Sequence, residues 1–253
     1  MNRQCTGASE RGALCAVVSF AAAACGVLHL AGCAANVNDY LVEAQKGDPE
    51  SVKEAVVMVG RLLKEKEESG APFSPGDEEA LQYLVEVASQ GPDAVNRASA
   101  IDSLSRLKSK NFSELYAQKL EDKAWIVQLE AARALARNPS ATAVESLVKA
   151  LDSELRMEVR LEVLKTLAAT GGDEALHKLL DSYLDTSRRY QYMKLTAYDG
   201  IRRWSGKTYG PEERELWEKY RKERFPEPAK ETLPSRVPEA KTEPEKPSPE
   251  KNG

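Results

Sequence analysis

The strongest constraint on this chain is that it repeats itself. Three stretches align without a gap: Val95-Asn-Arg-Ala-Ser-Ala-Ile-Asp-Ser-Leu104, Ile126-Val-Gln-Leu-Glu-Ala-Ala-Arg-Ala-Leu135 and Glu158-Val-Arg-Leu-Glu-Val-Leu-Lys-Thr-Leu167. Ala100 thus corresponds to Ala131 and to Val163, at steps of 31 and 32 residues. A fourth copy, Met193 to Ile201, puts Ala197 34 residues beyond Val163, and a looser one runs from Ser51 to Leu63 with Val52, Val56 and Val59 on one face. Within each copy the apolar residues recur at i, i+4 and i+8, the spacing of a helix with one buried stripe. A shorter amphipathic helix is expected before each copy: Leu81, Leu84, Val85 and Ala88 before the first, Leu115, Tyr116 and Leu120 before the second, Leu147, Val148 and Leu151 before the third, and Leu176, Leu179, Leu180 and Tyr183 before the fourth. Gly47-Asp48-Pro49, Pro72 to Gly76, Gly91-Pro92-Asp93, Asn138-Pro139 and Gly171-Gly172-Asp173 supply the turns. One such hairpin cannot bury its apolar face alone, but stacked hairpins form a continuous core. The expected fold is all-α, an α-solenoid of about five helical hairpins over residues 38–210.

The second helices resemble the short bacterial form of HEAT repeats. Its pattern of Val-Arg, two small apolar residues and then Leu is clearest in Val159-Arg160, Val163-Leu164 and Leu167. The copy before it reads Val127-Gln128, Ala131-Ala132 and Leu135, without the arginine. The resemblance spans roughly Ala80 to Ile201. Tetratricopeptide repeats have a similar period, but their Trp, Gly-Tyr and Pro landmarks are missing. An irregular helical bundle is the other arrangement this periodicity permits.

The amino terminus carries a different signal. Arg3 and Arg11 precede an almost wholly apolar run, Ala13 to Leu30, which ends in Leu30-Ala31-Gly32-Cys33. Positive charge, an apolar segment and small residues make a secretory leader, and the last four residues resemble a bacterial lipobox. That resemblance implies cleavage between Gly32 and Cys33 and a diacylglyceryl group on the Cys33 thiol, an anchor of more than one chain and therefore durable. An uncleaved transmembrane anchor is the alternative, since about 18 apolar residues just span a bilayer. Ala34 follows the cysteine where an aspartate would retain a Gram-negative lipoprotein at the inner membrane, so the outer membrane facing the periplasm is expected. The reading divides the chain into a signal peptide (1–32), a lipidated amino terminus and short linker (33–37), the solenoid (38–210), a cap helix (211–225) and a tail (226–253).

Composition then excludes most chemistry. All 4 Cys of the chain (Cys5, Cys15, Cys25 and Cys33) lie in or at the end of the leader, so the mature domain has no thiol for a disulfide, a zinc site or a nucleophile. Of 2 His, only His177 remains, which cannot make a histidine-ligated centre by itself. The formal net charge of -4 becomes more negative once the leader, with its two arginines and one Glu10, is removed. Such a chain has no general attraction for nucleic acid. Gly206-Lys207-Thr208 mimics the end of a phosphate loop, but Ile201 stands where that loop needs a glycine and no strand precedes it. No catalytic residue, cofactor or metal is expected, and the chain reads as a non-enzyme.

Beyond the last repeat, Gly206 to Gly210 and a charged helix containing Trp217 resemble the terminal element of envelope-associated HEAT proteins. Trp204, Tyr209 and Trp217 are expected to cover the open end of the stack. The tail, with seven prolines among Glu, Lys and Ser, lacks the apolar residues for a core and is expected to be disordered. Charge is uneven: eight acids face four bases between Leu151 and Asp185, and eleven bases face six acids from Arg188 to Arg224. Arg188, Arg189, Tyr192, Arg202, Arg203 and Lys207 form the expected binding surface for an unidentified envelope protein. The expected role is a lipid-tethered scaffold presenting a concave surface. A structural tether to the cell wall is the first alternative. An accessory to an enzyme of the tetrapyrrole-lyase type, which some short HEAT proteins resemble, is the second. The anchor is testable: Cys33→Ser should abolish labelling by a palmitate analogue and leave the leader uncleaved, and labelling that persists would contradict lipidation at this residue.

Overall fold

The computed structural model of the protein describes residues 36–227, apart from 154 and 188–190. Gly32 and Cys33, Arg188 and Arg189, and the tail from residue 228 lie outside the described residues. Within them the chain forms eleven α-helices, two short 3-10 turns and no strand. Five hairpins follow one another: α1 (Val37–Ala44) with α2 (Pro49–Glu68), α3 (Pro75–Gln90) with α4 (Ala94–Ser105), α5 (Ser113–Lys119) with α6 (Trp125–Arg137), α7 (Val144–Asp152) with α8 (Met157–Thr170), and α9 (Asp173–Leu184) with α10 (Lys194–Ser205). The last helix, α11 (Arg214–Arg224), is single. The first helix of a pair is not always the shorter one. α3 has 16 residues against 12 in α4, and α9 matches α10 at 12.

The chain builds these ends from local chemistry. Asn36 and Asp39 form a capping box on α1, and Ser74 with Asp77 does the same on α3, where Pro75 takes the first helical position. Asp48 and Asp93 cap α2 and α4 by accepting main-chain N–H bonds from Ser51 and from Val95 and Asn96. Burial raises the Asp77 carboxyl, but hydrogen bonds from Lys66 and Ser74 outweigh it and leave the group below its ordinary value.

The hairpins stack as two layers. α2, α4, α6, α8 and α10 pack side by side in one, each touching the next. The first helices line the other, with α11 laid against α9 as its last member. Val59, Ala100, Ala131, Val163 and Ala197, the residues that define the repeat, are all fully buried between the layers. Leu63, Leu104, Leu135 and Leu167, one turn on, are buried with them.

Each seam between second helices carries a side-chain hydrogen bond to a main-chain carbonyl of the preceding helix. The Ser103 hydroxyl donates to Val56 O (3.3 Å), Asn138 Nδ2 to Ser105 O (2.9 Å), the Thr166 hydroxyl to Ala132 O (3.0 Å) and Trp204 Nε1 to Ala168 O (2.9 Å). Small residues allow the approach. A Cβ on Gly60 would lie 2.5 Å from Ser103, and one on Gly200 2.7 Å from the Ala168 side chain.

The arginine of the Val-Arg pattern has a structural role that the sequence did not reveal. Arg97, Gln128 and Arg160 share one repeat position, and each ties down the turn of its own hairpin. Arg97 donates to Gly91 O (2.8 Å), Gln128 to Asp122 O (2.7 Å) and Arg160 to Ser153 O (3.2 Å). Arg97 also crosses to the next hairpin, giving a two-pronged ion pair with Asp122 at 3.0 and 2.8 Å. Both side chains are over nine-tenths buried. Burial raises the Asp122 carboxyl, but the Arg97 guanidinium and the Ala124 N–H more than offset this and hold it below the usual carboxylate range.

Two outcomes are expected. Leu135→Ala or Leu167→Ala should each cost about 2–5 kcal/mol in denaturant unfolding, because both side chains are fully buried at a seam. Arg97→Ala should cost about 3–5 kcal/mol by leaving Asp122 buried without its ion pair, whereas Arg97→Met with Asp122→Leu should recover the part due to the unpaired charge while the bonds to Gly91 O and from Ala124 N–H stay broken. The pair's contribution has a defined pH dependence. A depressed folded value means the stabilisation is complete above the unfolded value of about 3.9 and disappears as pH falls through the lower folded one. Acid unfolding of the double variant should therefore lack that component, as followed by circular dichroism between neutral pH and strong acid.

Candidate interaction surface

The carboxy-terminal end of the stack holds the described part of the expected binding surface. The turn Gln191–Met193, with Met193 buried, leads into α10, whose Ala197, Gly200 and Ile201 face the core. Its opposite side presents Leu195, Asp199 and Arg202 to solvent. Tyr192 is 81% exposed and Leu195 73%. Tyr192 and Arg202 therefore stand in the open. Arg203 and Lys207, although exposed, also serve the fold: Arg203 donates to Ala168 O at 3.4 Å, and Lys207 Nζ lies 5.5 Å from the Tyr220 ring centroid. Leu195 was not among the expected residues, yet its place on the outer side of the helical repeat made it legible.

Trp204 and Trp217 do different jobs. Trp217 is fully buried on α11, ringed edge-on by Tyr209, Tyr220 and Tyr198 at centroid distances of 5.0, 6.1 and 6.2 Å. Its Nε1 donates to Gly210 O (3.1 Å), and the Tyr198 hydroxyl donates to Tyr209 O (2.9 Å). Trp204 is not part of this cluster. It is 42% exposed and lies over Gly171, bonded to the end of α8. Gly171 has φ +76, and a Cβ there would come within 2.4 Å of the indole, so only glycine fits.

The uneven charge of the sequence is largely consumed at this end. Arg224 holds Asp173 at 2.7 Å, Arg221 holds Asp181, and Arg214 donates to Leu184 O, so α11 is pinned along α9 by groups of opposite sign. His177 stacks on Phe225, rings 4.6 Å apart, and is part of the same contact. The Tyr183 hydroxyl, pushed up by burial and then by Glu212, donates to Pro211 O. Arg214, Arg221 and Arg224 thus belong to the cap, and the cation left most open among the described candidates is Arg202.

A second feature lies at the other end of the same layer. A groove of about 510 Å³ runs between α2 and α4, lined by Val57, Gly60, Val95 and Ala98 and by the charged side chains of Arg61, Lys64, Asp102, Arg106 and Glu130. In its lining, Asp102 is shared by Arg106 and Arg137, both at 2.9 Å, and Glu130 accepts from Arg133 and Arg137 at 3.3 and 3.2 Å. Among the described residues, no three of His, Cys, Asp and Glu gather where they could hold a metal ion. No described helix is long and apolar enough to cross a membrane.

The sequence profile of HEAT repeats matches residues 113–195, about a third of the chain, covering α5 to the start of α10. Together with the all-helical, two-layer stack, this similarity defines a HEAT-like α-solenoid. HEAT repeats commonly mediate protein–protein interaction. No curated protein matches the chain.

Proposed function

We propose that this protein is a non-catalytic scaffold of the bacterial cell envelope, anchored through a lipid on Cys33, which captures another envelope protein at the carboxy-terminal end of its second-helix layer. One observation carries the reading: Tyr192, Leu195 and Arg202 stand open to solvent at the end of the repeat stack, while the neighbouring cations are tied into the cap. Exposed apolar surface beside charge is characteristic of an interaction site. Arg188 and Arg189 extend the surface in sequence. A basic rim chiefly speeds association, and its effect weakens as salt rises. The leader and lipobox support the location, and the paucity of Cys and His supports a binding role.

Reversing Arg188, Arg189 and Arg202 to Glu should slow capture of the partner from solubilised membranes at low salt without altering the thermal melt. Arg203→Glu serves as the contrast, because it disturbs the bond to Ala168 and should lower the melt itself. Capture that is indifferent to the three reversals would place the contact elsewhere. Co-sedimentation with peptidoglycan in place of a protein partner would favour a cell-wall tether.

A further inference from the structure

Near the amino end of the stack, a pocket of about 420 Å³ lies where the α1–α2 turn meets the carboxy-terminal half of α3 and the α3–α4 turn. Pro49, Val52, Tyr83, Val87 and Pro92 supply its apolar walls. Asn96, almost fully buried, ties two of its sides together by donating to Pro49 O at 2.9 Å. The charged residues of the lining are Glu86 and Asp93, and among the described residues no lysine or arginine joins them. Asp93 is engaged as the cap of α4. Glu86 is exposed and enters no ion pair among the described residues. The Tyr83 hydroxyl is buried with no hydrogen-bond partner, which is uncommon in a folded chain. Burial, and then the Glu86 charge, push that hydroxyl up, so it keeps its proton and remains a donor without an acceptor. The pocket therefore suits an extended apolar segment that brings main-chain carbonyls and one positive charge.

The tail of the chain contains such a segment. Across residues 226–253 the only large aliphatic side chains are Leu233 and Val237. Both fall in Thr232-Leu-Pro-Ser-Arg-Val-Pro238, the longest stretch of the tail without an acid, and its single charge is Arg236. Prolines favour the polyproline II conformation, which aromatic-lined grooves recognise with little ordering cost. At three residues per turn, Leu233 and Arg236 share one edge of such a segment, Pro234 and Val237 the next, and Ser235 the edge left for water. We propose that residues 232–238 dock in the pocket of a second copy of this chain. Arg236 meets the Glu86 carboxylate, Leu233, Pro234 and Val237 meet the apolar walls, and a main-chain carbonyl accepts from the Tyr83 hydroxyl. Docking of this kind needs neither the lipid on Cys33 nor an envelope partner.

Reach selects a second copy over the chain's own pocket. From residue 227, where the described chain stops, Arg236 lies at most about 32 Å away even at full extension. In the first-helix layer α11 and α3 are four hairpin steps apart, about 32–40 Å at ordinary helix spacing. They are also reached from opposite edges of the stack. The end of α11 sits at the first residue of α9, where Arg224 holds Asp173, whereas the pocket sits at the last turns of α3. Crossing from one edge to the other adds most of the length of that 16-residue helix, about 24 Å. A tail that cannot turn back to its own pocket is free to enter a neighbour's. Pocket and tail stand at opposite ends of each copy, so the contact is head-to-tail and the assembly stays open.

The test uses the full chain in excess detergent and a labelled peptide of residues 229–240. Fluorescence anisotropy should show this peptide binding the native chain at least about tenfold tighter than it binds Glu86→Arg. A peptide carrying Arg236→Glu should lose as much on the native chain and recover on Glu86→Arg, which a merely damaged pocket would not allow. Thermal melts should coincide, because Glu86 is exposed and unpaired. In sedimentation the native chain should gain mass with concentration. Full-length Glu86→Arg and full-length Arg236→Glu should each stay single, and an equal mixture of the two should associate again. Peptide binding indifferent to Glu86→Arg, no binding by the native chain, or a mixture that stays single overturns the proposal. So does a native chain that stays single at every concentration while Arg236→Glu binds the native peptide more tightly than it does, since each tail would then fill its own pocket. An envelope protein captured by the native chain and lost in Glu86→Arg, with no binding of the peptide, gives the pocket to a different protein and overturns it as well.

Discussion

Adjacent hairpins of this solenoid are joined where one second helix lies so close to the next that a side-chain donor reaches across to a main-chain carbonyl. Ser103, Asn138, Thr166 and Trp204 perform this at the four successive seams. Close approach depends on small side chains, and Gly60 and Gly200 are positions where even a methyl group would collide. Once the second helices are fixed at that distance, the rows of Val, Ala and Leu behind them close into one core. The first helices then complete the burial. Apolar area supplies most of the stabilisation, but the seams decide that it is buried in this register. A slip by one residue would rotate every second helix by about 100° and expose the row.

Much of this was legible from the chain. The step from Ala100 to Ala131, Val163 and Ala197 identified the second helices, and their periodicity named the buried face. What periodicity hides is the part played by polar residues. Arg97, Gln128 and Arg160 occupy one column of the repeat, but their bonds to turn carbonyls depend on hairpin geometry that no residue pattern records. The partnership of Arg97 with Asp122 joins two hairpins and is equally invisible in one dimension. Trp204 and Trp217 looked alike in sequence, as large rings near the end of the stack. They separate because one belongs to α10 and turns back over Gly171, while the other belongs to α11 and turns inward.

The uneven charge of the sequence acquires a structural meaning. An acidic stretch followed by a basic one reads as a pole of potential along the molecule, yet folding brings α9 and α11 together and cancels much of it locally. Asp173 and Asp181 meet Arg224 and Arg221 on the flank of a buried tryptophan. Of the candidate site, the open part, Tyr192 and Arg202, was readable because those residues interrupt no apolar row.

The two ends of the stack are finished differently. At the carboxy terminus α11 closes the first-helix layer with ion pairs, an aromatic cluster and a stacked His177–Phe225 pair. At the other end, the outermost element among the described residues is α1, eight residues long, with Val42 on its surface. In a stack where each unit leans mainly on its neighbours, opening spreads from whichever terminal unit is held least. Fraying of this protein is therefore polarised. Amide protection should rise from α1 toward α9 instead of peaking in the middle, and a pull applied at residue 36 should peel hairpins off one at a time in chain order. The capped end would be the last to yield.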